Sequence, residues 1–459
     1  MKDRYNLILA LAFLALVALL GGASRADAMT QLPLRLASVG FIVLALWQPN
    51  LVRMGRYKPL FAFLGLAALL PALQLVPLPF DMWEAIPGRE FYADISRQVG
   101  LPDVSRPLSL VPGMTRNALF SLVVPIAALI VISQVPADRL PRFAIAILLI
   151  ALVSLVLGHA QAAGGARSEL RFYRITNTDS MVGLFANRNH HAVLLAIAIP
   201  ILSALAASYR ENPTWRRIGV PVCLLGAVAV GGTLLFAGSR AGLLTGAVGT
   251  LAGALLYASA AAGRSAGRGQ RRPKRFAWME RLSSPWLVPA GAGVAIAVAA
   301  IGFASTPAMQ RLIRTNAAEE DRLQLLPSML RLAEAMFPFG GGFGGFNQLF
   351  RRFEEVEQLK TVYLNHAHME PVQILIEGGI PAAVLLVAFL IWWAWRTWTA
   401  WRQPASARIE SNLARLGSIT TLLVLLGSLG DYPLRTPVHM VIFVIGCIWL
   451  QRGANAPAR

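Results

Sequence analysis

The sequence predicts an all-α integral membrane protein, and three observations support this fold class. The chain of 459 residues is 56% hydrophobic and only 14% charged, whereas soluble domains carry about 25% charged residues. Its apolar residues fall in runs of about 20, the length that crosses the hydrocarbon core as a helix. Its net charge of +19 sits in short clusters between these runs, which indicates membrane topology rather than nucleic-acid binding.

The apolar segments divide the chain into twelve candidate spans. They are residues 5–22, 33–50, 59–77, 115–134, 142–160, 190–208, 217–236, 241–261, 285–304, 371–395, 412–430 and 438–451. With an even number of spans, both termini lie on the same side of the membrane. Basic residues collect in the loops of that side, above all in GRSAGRGQRRPKR (263–275), so the positive-inside rule makes both termini cytoplasmic.

The first span also resembles a secretory signal sequence. Lys2 and Arg4 precede an apolar stretch, and Ala26-Asp27-Ala28 imitates a cleavage site. The apolar stretch 5–20 is longer than a typical signal core, so we expect a retained helix. Cleavage would remove this span and leave the orientation of the others unchanged.

Three loops on the opposite, non-cytoplasmic side exceed connector length: 78–114, 161–189 and 305–370. The third loop is rich in hydrophobic residues, and we expect it to fold against the membrane surface. The chain thus divides into 1–304 with the first nine spans, the loop domain 305–370, and 371–459 with the last three spans. We expect these parts to form one integrated unit.

The histidines are confined to the non-cytoplasmic side, in its loops or at the adjoining ends of spans. They are His159, His190, His191, His366, His368 and His439. Because histidine exchanges protons near neutral pH, this asymmetry indicates that any chemistry takes place on that side.

The segment that leads into the tenth span carries His366, His368 and Glu370. In an extended chain these three side chains would point the same way. They could bind a metal ion, although two histidines and one glutamate are a weak metal signature. Alternatively, His368 could act as a single general base. An interfacial histidine with ordinary hydrogen bonds explains the spacing equally well.

Two arginines are further candidates. Arg240 lies between two spans with almost no loop, where a charge is costly unless it faces a cavity or an anion. This favours a functional arginine. Arg322 follows three acidic residues at the start of an amphipathic stretch, and from the sequence alone a local ion pair explains it best.

Two polar or glycine-rich segments allow more than one interpretation. Asn187, Asn189 and His190 open the sixth span, where they could bind an anion or simply cap the helix. The G-x-G-x-x-G match at 340–345 lacks the preceding strand that nucleotide binding requires. We expect these glycines to allow a tight path between helices instead.

Four stretches in order resemble the O-antigen ligase and polymerase superfamily of bacterial membrane glycosyltransferases. They are GLFANRNHHAVLLAIAIP (183–200), FAGSRAGLL (236–244), DRLQLLPSMLRLAEAMFPFGGGFGGFNQLF (321–350) and NHAHMEPVQILIEGGIPA (365–382). The superfamily hallmark is a histidine followed directly by Asn, Ser or Gln. After nine further residues comes a glycine, and after two more comes Gly, Thr or Tyr. His368 and Gly379 fit this spacing, whereas Met369 and Ala382 depart from it.

The resemblance implies a GT-C-like helical fold without metal or nucleotide cofactor, in the bacterial inner membrane. It implies transfer of a glycan from undecaprenyl diphosphate to an acceptor on the periplasmic face, with inversion at the anomeric carbon. The acceptor would be lipid A core for a ligase or a growing polysaccharide for an O-antigen or exopolysaccharide polymerase. Protein O-glycosylation is a third alternative, and a twelve-span transporter is a more distant one.

The resemblance also implies roles for individual residues. His368 matches the superfamily's histidine, and Arg240 and Arg322 are similar to its two essential arginines. We expect His368 to be the base and the two arginines to stabilise the leaving diphosphate. The apolar spans next to Arg240 would hold the polyprenyl tail. The candidate substrate-binding residues are Asn187, Asn189, His190, His366 and Glu370.

Overall fold

The computed structural model describes residues 2–101, 103–267, 316–356, 364–404 and 408–452. For residues 213, 261–267 and 316–323 it describes the backbone only. The described chain is mostly helical and contains one antiparallel pair of two-residue strands, Pro77–Leu78 and Arg106–Pro107. This confirms the predicted all-α class.

The α-helices follow one another with short connections. They are Lys2–Leu20, Gln31–Leu46, Leu51–Met54, Lys58–Gln74, Phe80–Glu84, Glu90–Gln98, Pro112–Ser121, Val123–Ser133, Arg142–Ala163, Arg188–Tyr209, Pro213–Phe236, Arg240–Gly267, Asn316–Ala335, Phe346–Phe350, Glu370–Arg402, Ile409–Gly430 and Pro437–Arg452. Short 3-10 turns lie at Gly55–Tyr57, Ala137–Arg139, Gly165–Arg167 and Pro433–Arg435.

The helices agree with the predicted spans wherever the structure describes the chain. Within those ranges, 9 helices are long and apolar enough to cross a membrane. Two shorter apolar helices, Gln31–Leu46 and Pro437–Arg452, fall at the second and twelfth predicted spans. The predicted span 285–304 lies outside the described residues. The chain is therefore a multi-pass membrane protein.

The helix Arg188–Tyr209, here called the central helix, is the most deeply buried of the described candidate spans, with 78% of its apolar window inside the protein. It packs against the helices Arg142–Ala163, Pro213–Phe236, Arg240–Gly267 and Ile409–Gly430. A helix that is apolar on every face is buried by its neighbours. The bundle therefore holds the polar N-terminal end of this helix in a fixed position.

The described part of the 305–370 loop has an apolar core of its own. Leu325 and Met329 of the helix Asn316–Ala335 are buried in this core together with Phe346 and Ala367. Burial of a large apolar side chain such as Leu, Met or Phe contributes about 1.5–3 kcal/mol. Because Ala367 belongs to this core, the loop domain fixes the backbone between the candidate residues on either side of it.

The helix Glu370–Arg402, here called the broken helix, is interrupted at Gly379, where φ is 61° and ψ is −152°. A Cβ atom on Gly379 would lie 2.1 Å from the carbonyl oxygen of Pro338, and one on Gly340 would lie 2.5 Å from that of Glu377. Only glycine fits such a close approach with a positive φ. This confirms the predicted tight glycine path and shows why position 379 of this chain is a glycine.

Candidate active site

The carboxylate of Asp431 is the centre of a polar cluster at one end of the bundle. Oδ1 lies 3.1 Å from Nδ1 of His368 and accepts the backbone N–H of Tyr432 at 3.0 Å. Oδ2 accepts hydrogen bonds from the side-chain amides of Asn187 at 3.1 Å and Asn189 at 2.7 Å. These donors favour the ionised form of a carboxylate that is almost completely buried.

The central helix begins at this cluster. Asn187 is its N-cap, with φ −125° and ψ 130°, and its Oδ1 accepts the backbone N–H of Asn189 at 2.8 Å. The cap predicted as one alternative is therefore confirmed. The same side chain also donates to Asp431, so the anion beside this helix N-terminus is a carboxylate of the protein itself.

The backbone of His368 has a φ of 55°, which is rare for a residue other than glycine. The chain from His366 to Glu370 is therefore not extended, and it turns at His368 before the broken helix begins. The backbone N–H of the preceding residue, Ala367, donates to the side chain of Gln373 at 2.9 Å and fixes the turn. Backbone strain of this kind is common at active sites.

The His368 side chain keeps 13% of its surface exposed. Its Nδ1 faces Asp431, and in the neutral ring Nδ1–H donates to the carboxylate while Nε2 carries the lone pair. Nε2 is therefore the nitrogen that can accept a proton from a bound molecule. This arrangement has the same logic as the histidine–carboxylate pair of serine hydrolases.

The ring of Tyr432 contacts three of the predicted site histidines. The ring centroids lie 4.2 Å from His366, 4.7 Å from His368 and 5.1 Å from His190. His190 is only 1% exposed, and its Nε2 approaches Asp431 at 3.9 Å, too far for a hydrogen bond. His190 therefore contributes to the packing of the cluster.

Glu370 belongs to a second buried network next to the first. Arg435 grips it in a bidentate way, with Nε at 2.7 Å and Nη2 at 3.1 Å from the two carboxylate oxygens. Nη2 of Arg435 also donates to Glu377 at 3.2 Å. Burial would lower the pKa of Arg435, but Glu370 and Glu377 outweigh this effect and raise it. Arg435 therefore stays charged.

His366 stands between the two networks. Its Nδ1 lies 3.2 Å from the side-chain amide of Gln373, which also donates to Glu377 at 2.8 Å. Burial, followed by the nearby charge of Arg435, holds the pKa of His366 well below its usual range. His366 is therefore a neutral imidazole at physiological pH.

The alternative of a metal site does not fit these contacts. His368 faces Asp431, His366 faces Gln373, and Glu370 is paired with Arg435. Among the described residues, no three histidine, cysteine or acidic side chains converge to hold a metal ion.

Arg240 begins the helix Arg240–Gly267, only a few residues after the preceding helix ends at Phe236, as predicted. A Cβ atom on Gly242 would lie 2.4 Å from Cβ of Ala192, in the first turns of the central helix. Arg240 therefore lies at the same end of the bundle as Asn189. Arg322 lies in the helix Asn316–Ala335, and its side chain is outside the description.

A cavity of about 380 Å³ borders the loop before Arg240. Its lining includes Gly238 and two arginines, Arg171 and Arg188. Arg188 is the first residue of the central helix, directly after Asn187. This cavity therefore lies between the first residue of the central helix and the loop before Arg240.

Sequence reasoning missed Asp431, Tyr432 and Arg435. They occupy the short turn between the last two predicted spans, GDYPLRTP (430–437). The available signal for a functional site was the presence of Asp431 and Arg435 between two apolar spans, on the side of the membrane that bears the histidines. Their partners are distant in the chain, so no local pattern links them.

Residues 225–387 match the family described as O-antigen ligase. The matched segment contains Arg240, Arg322, His368 and Gly379. A comparison with curated proteins finds no significant match. The family match confirms the resemblance found in the sequence and supports membership of this membrane protein in the O-antigen ligase superfamily.

Proposed function

We propose that the protein is a periplasmic-face, metal-independent, inverting glycosyltransferase of the bacterial inner membrane. It moves a glycan from undecaprenyl diphosphate to an acceptor hydroxyl, and the proposed acceptor is lipid A core. The O-antigen ligase match already indicates a ligase- or polymerase-type enzyme. The donor, the acceptor and the residue roles are the proposal.

The contact between His368 and Asp431 carries this proposal. Asp431 accepts a hydrogen bond from Nδ1–H and so fixes the tautomer in which Nε2 is basic. The ionised carboxylate also stabilises the imidazolium that forms when Nε2 takes a proton. A positioned base of this kind contributes about 10²–10⁴-fold in rate.

In the proposed reaction, Nε2 of His368 removes the proton of the acceptor hydroxyl. The acceptor oxygen attacks the anomeric carbon of the glycan and forms the new glycosidic bond. The bond from that carbon to the diphosphate oxygen breaks, and the diphosphate leaves with the electron pair. Attack opposite the leaving group inverts the configuration at the anomeric carbon.

The departing diphosphate needs positive charge, and Arg240 and Arg322 are the proposed source. A guanidinium group is always charged and binds two phosphate oxygens at once. Arg240 lies at the same end of the bundle as the Asp431 cluster, which supports this role. We assign the polyprenyl tail of the donor to the apolar spans next to Arg240.

The other candidate residues have supporting roles in this proposal. Asn187 and Asn189 hold Asp431, while Glu370 holds Arg435 at the edge of the site. His366 is exposed to a cleft that also reaches Arg435, and we propose that it contacts substrate as a neutral ring.

A polymerase would use the same donor and the same residues, and it is the second candidate. The two are distinguished in a deletion strain whose surface glycans are separated on a gel. A ligase deletion removes all long chains from lipid A core, and lipid-linked polymer accumulates. A polymerase deletion leaves products with a single repeat. Unchanged glycans of every class would contradict both.

A further inference from the structure

Arg35 is an arginine of an apolar helix without a visible counter-charge. Its Nη1 donates to the side chain of Asn117 at 2.8 Å, while its buried Nε has no hydrogen-bond partner among the described residues. No described carboxylate forms an ion pair with it. A charge in such a place is costly unless an anion or water reaches it.

A cleft of about 500 Å³ lies beside Arg35. Its lining also includes His366 and Arg435 of the candidate site, as well as Arg25 and Asp27. The charge of Arg25 is balanced by Asp27 at 2.9 Å, and that of Arg435 by Glu370 at 2.7 Å. The positive charge of Arg35 therefore faces the cleft without a described carboxylate to balance it.

An apolar groove of about 300 Å³ continues from this cleft. Its lining is hydrophobic and includes Leu60, Phe63 and Phe389. Ala67 and Phe343 line both the cleft and the groove, so the two spaces meet there. A polar cleft with an arginine that has no described carboxylate partner opens into an apolar groove, and this combination matches an anionic headgroup with an attached hydrocarbon chain.

We propose that the cleft and the groove bind a phosphate-bearing lipid, with Arg35 as the ligand of its phosphate. The guanidinium Nε has no hydrogen-bond partner among the described residues, and arginine suits phosphate because its donors form a planar fork. The site is separate from the cavity next to Arg240, so it holds a second lipid rather than the donor. A transferase that joins two lipid-borne substrates requires two such sites.

The position of the cleft makes this lipid the acceptor. His366 lines the cleft, and His366 and His368 contact the same Tyr432 ring at 4.2 Å and 4.7 Å. A hydroxyl carried on the headgroup can therefore approach the base. The identification as a second lipid and as the acceptor rests on the proposed function; the binding of a phosphate-bearing lipid in the cleft does not.

The test uses native mass spectrometry of the purified full-length protein with three lipids offered separately: bisphosphorylated lipid A, undecaprenyl diphosphate and phosphatidylglycerol. Arg35→Gln should weaken lipid binding at this site about tenfold to a hundredfold, the effect of losing a charge-assisted hydrogen bond. If Arg35→Gln weakens the binding of lipid A, the lipid at this site is a ligase acceptor. If wild type binds two molecules of undecaprenyl diphosphate and Arg35→Gln binds one, the lipid at this site is a polymerase acceptor.

The matched control is Arg116→Gln. Arg116 is exposed, adjoins Asn117 and does not line the cleft. Equal binding by wild type, Arg35→Gln and Arg116→Gln would overturn the proposal. If Arg35→Gln loses phosphatidylglycerol binding as strongly as it loses the other two lipids, the cleft is a general anionic-lipid site. This result would overturn its assignment to a substrate.

A second variant tests the groove if Arg35→Gln does not accumulate. Ala67→Phe places a ring where the cleft meets the groove, whereas Leu66→Phe, at an exposed position, serves as its control. Ala67→Phe should weaken binding of the long-chain lipid at least tenfold, and unaltered binding would refute the groove. If Arg35→Gln or Ala67→Phe loses lipid binding while His368→Ala keeps full activity, the proposed function is refuted and the lipid site is retained.

Discussion

Nδ1 of His368 lies 3.1 Å from Oδ1 of Asp431, and the two residues are brought together from segments 63 positions apart in the chain. One belongs to a strained turn before the broken helix and the other to the turn between the last two helices. In the proposed mechanism, this contact fixes the tautomer of His368 in which Nε2 acts as the base.

Asp431→Asn should keep the size of the side chain but lose the charge that orients His368. The amide can donate to Nδ1 and so favour the tautomer whose Nε2 is protonated and inactive. We expect glycan transfer to fall about 10²–10⁴-fold, measured as kcat with purified enzyme and lipid-linked donor. Asp138→Asn, which changes a carboxylate that is 80% exposed, is the control. A decrease smaller than about threefold would remove Asp431 from the mechanism.

Arg240→Lys should reduce kcat by roughly 10²–10³-fold, because an ammonium group cannot grip the diphosphate with two parallel hydrogen bonds. Arg167→Lys, at an exposed position in a neighbouring loop, should have wild-type turnover. If Arg240→Lys were as active as Arg167→Lys, Arg240 would be a positive anchor and not a ligand of the leaving group.

Gly379→Ala should destabilise the fold, since the new Cβ would meet the Pro338 carbonyl oxygen at 2.1 Å and φ is 61°. We expect a loss of at least 1–2 kcal/mol, measured as a lower unfolding temperature of the detergent-solubilised protein. Gly40→Ala, in a helix where the Cβ meets nothing within 4 Å, should be neutral or stabilising. Equal unfolding temperatures for the two variants would contradict the assigned role of Gly379.

Incubation with EDTA followed by desalting should leave the transfer rate unchanged, because arginine side chains supply the positive charge in the proposed mechanism. The measurement is the turnover of purified enzyme before and after chelation. Inactivation that is reversed by a divalent cation would restore the alternative in which His366, His368 and Glu370 hold a metal.

Most of the fold could be predicted from the sequence, because the length of an apolar run determines whether it can span a membrane. The helices Arg188–Tyr209 and Ile409–Gly430 fall close to the predicted 190–208 and 412–430. The break at Gly379 could not be predicted in this way. It results from a contact with Pro338, and hydropathy does not report contacts between distant backbone segments.

The candidate site was predictable in its residue types but not in its connections. His368, Asn187 and Asn189 could be selected from their places at span ends, and the structure brings all three to one carboxylate. That carboxylate, Asp431, gave no local signal beyond its position in a turn. Arg35, which has no described carboxylate partner, was also missed, since an arginine near a span end is ordinary until its partners are known.

The most direct test of the central claim is the transfer rate of His368→Ala in purified enzyme with lipid-linked donor and acceptor. Removal of the base should abolish transfer while the protein accumulates and unfolds like wild type. His159→Ala, which removes an exposed histidine bonded to its own helix at 2.9 Å, should remain fully active. Wild-type transfer by His368→Ala would contradict the account.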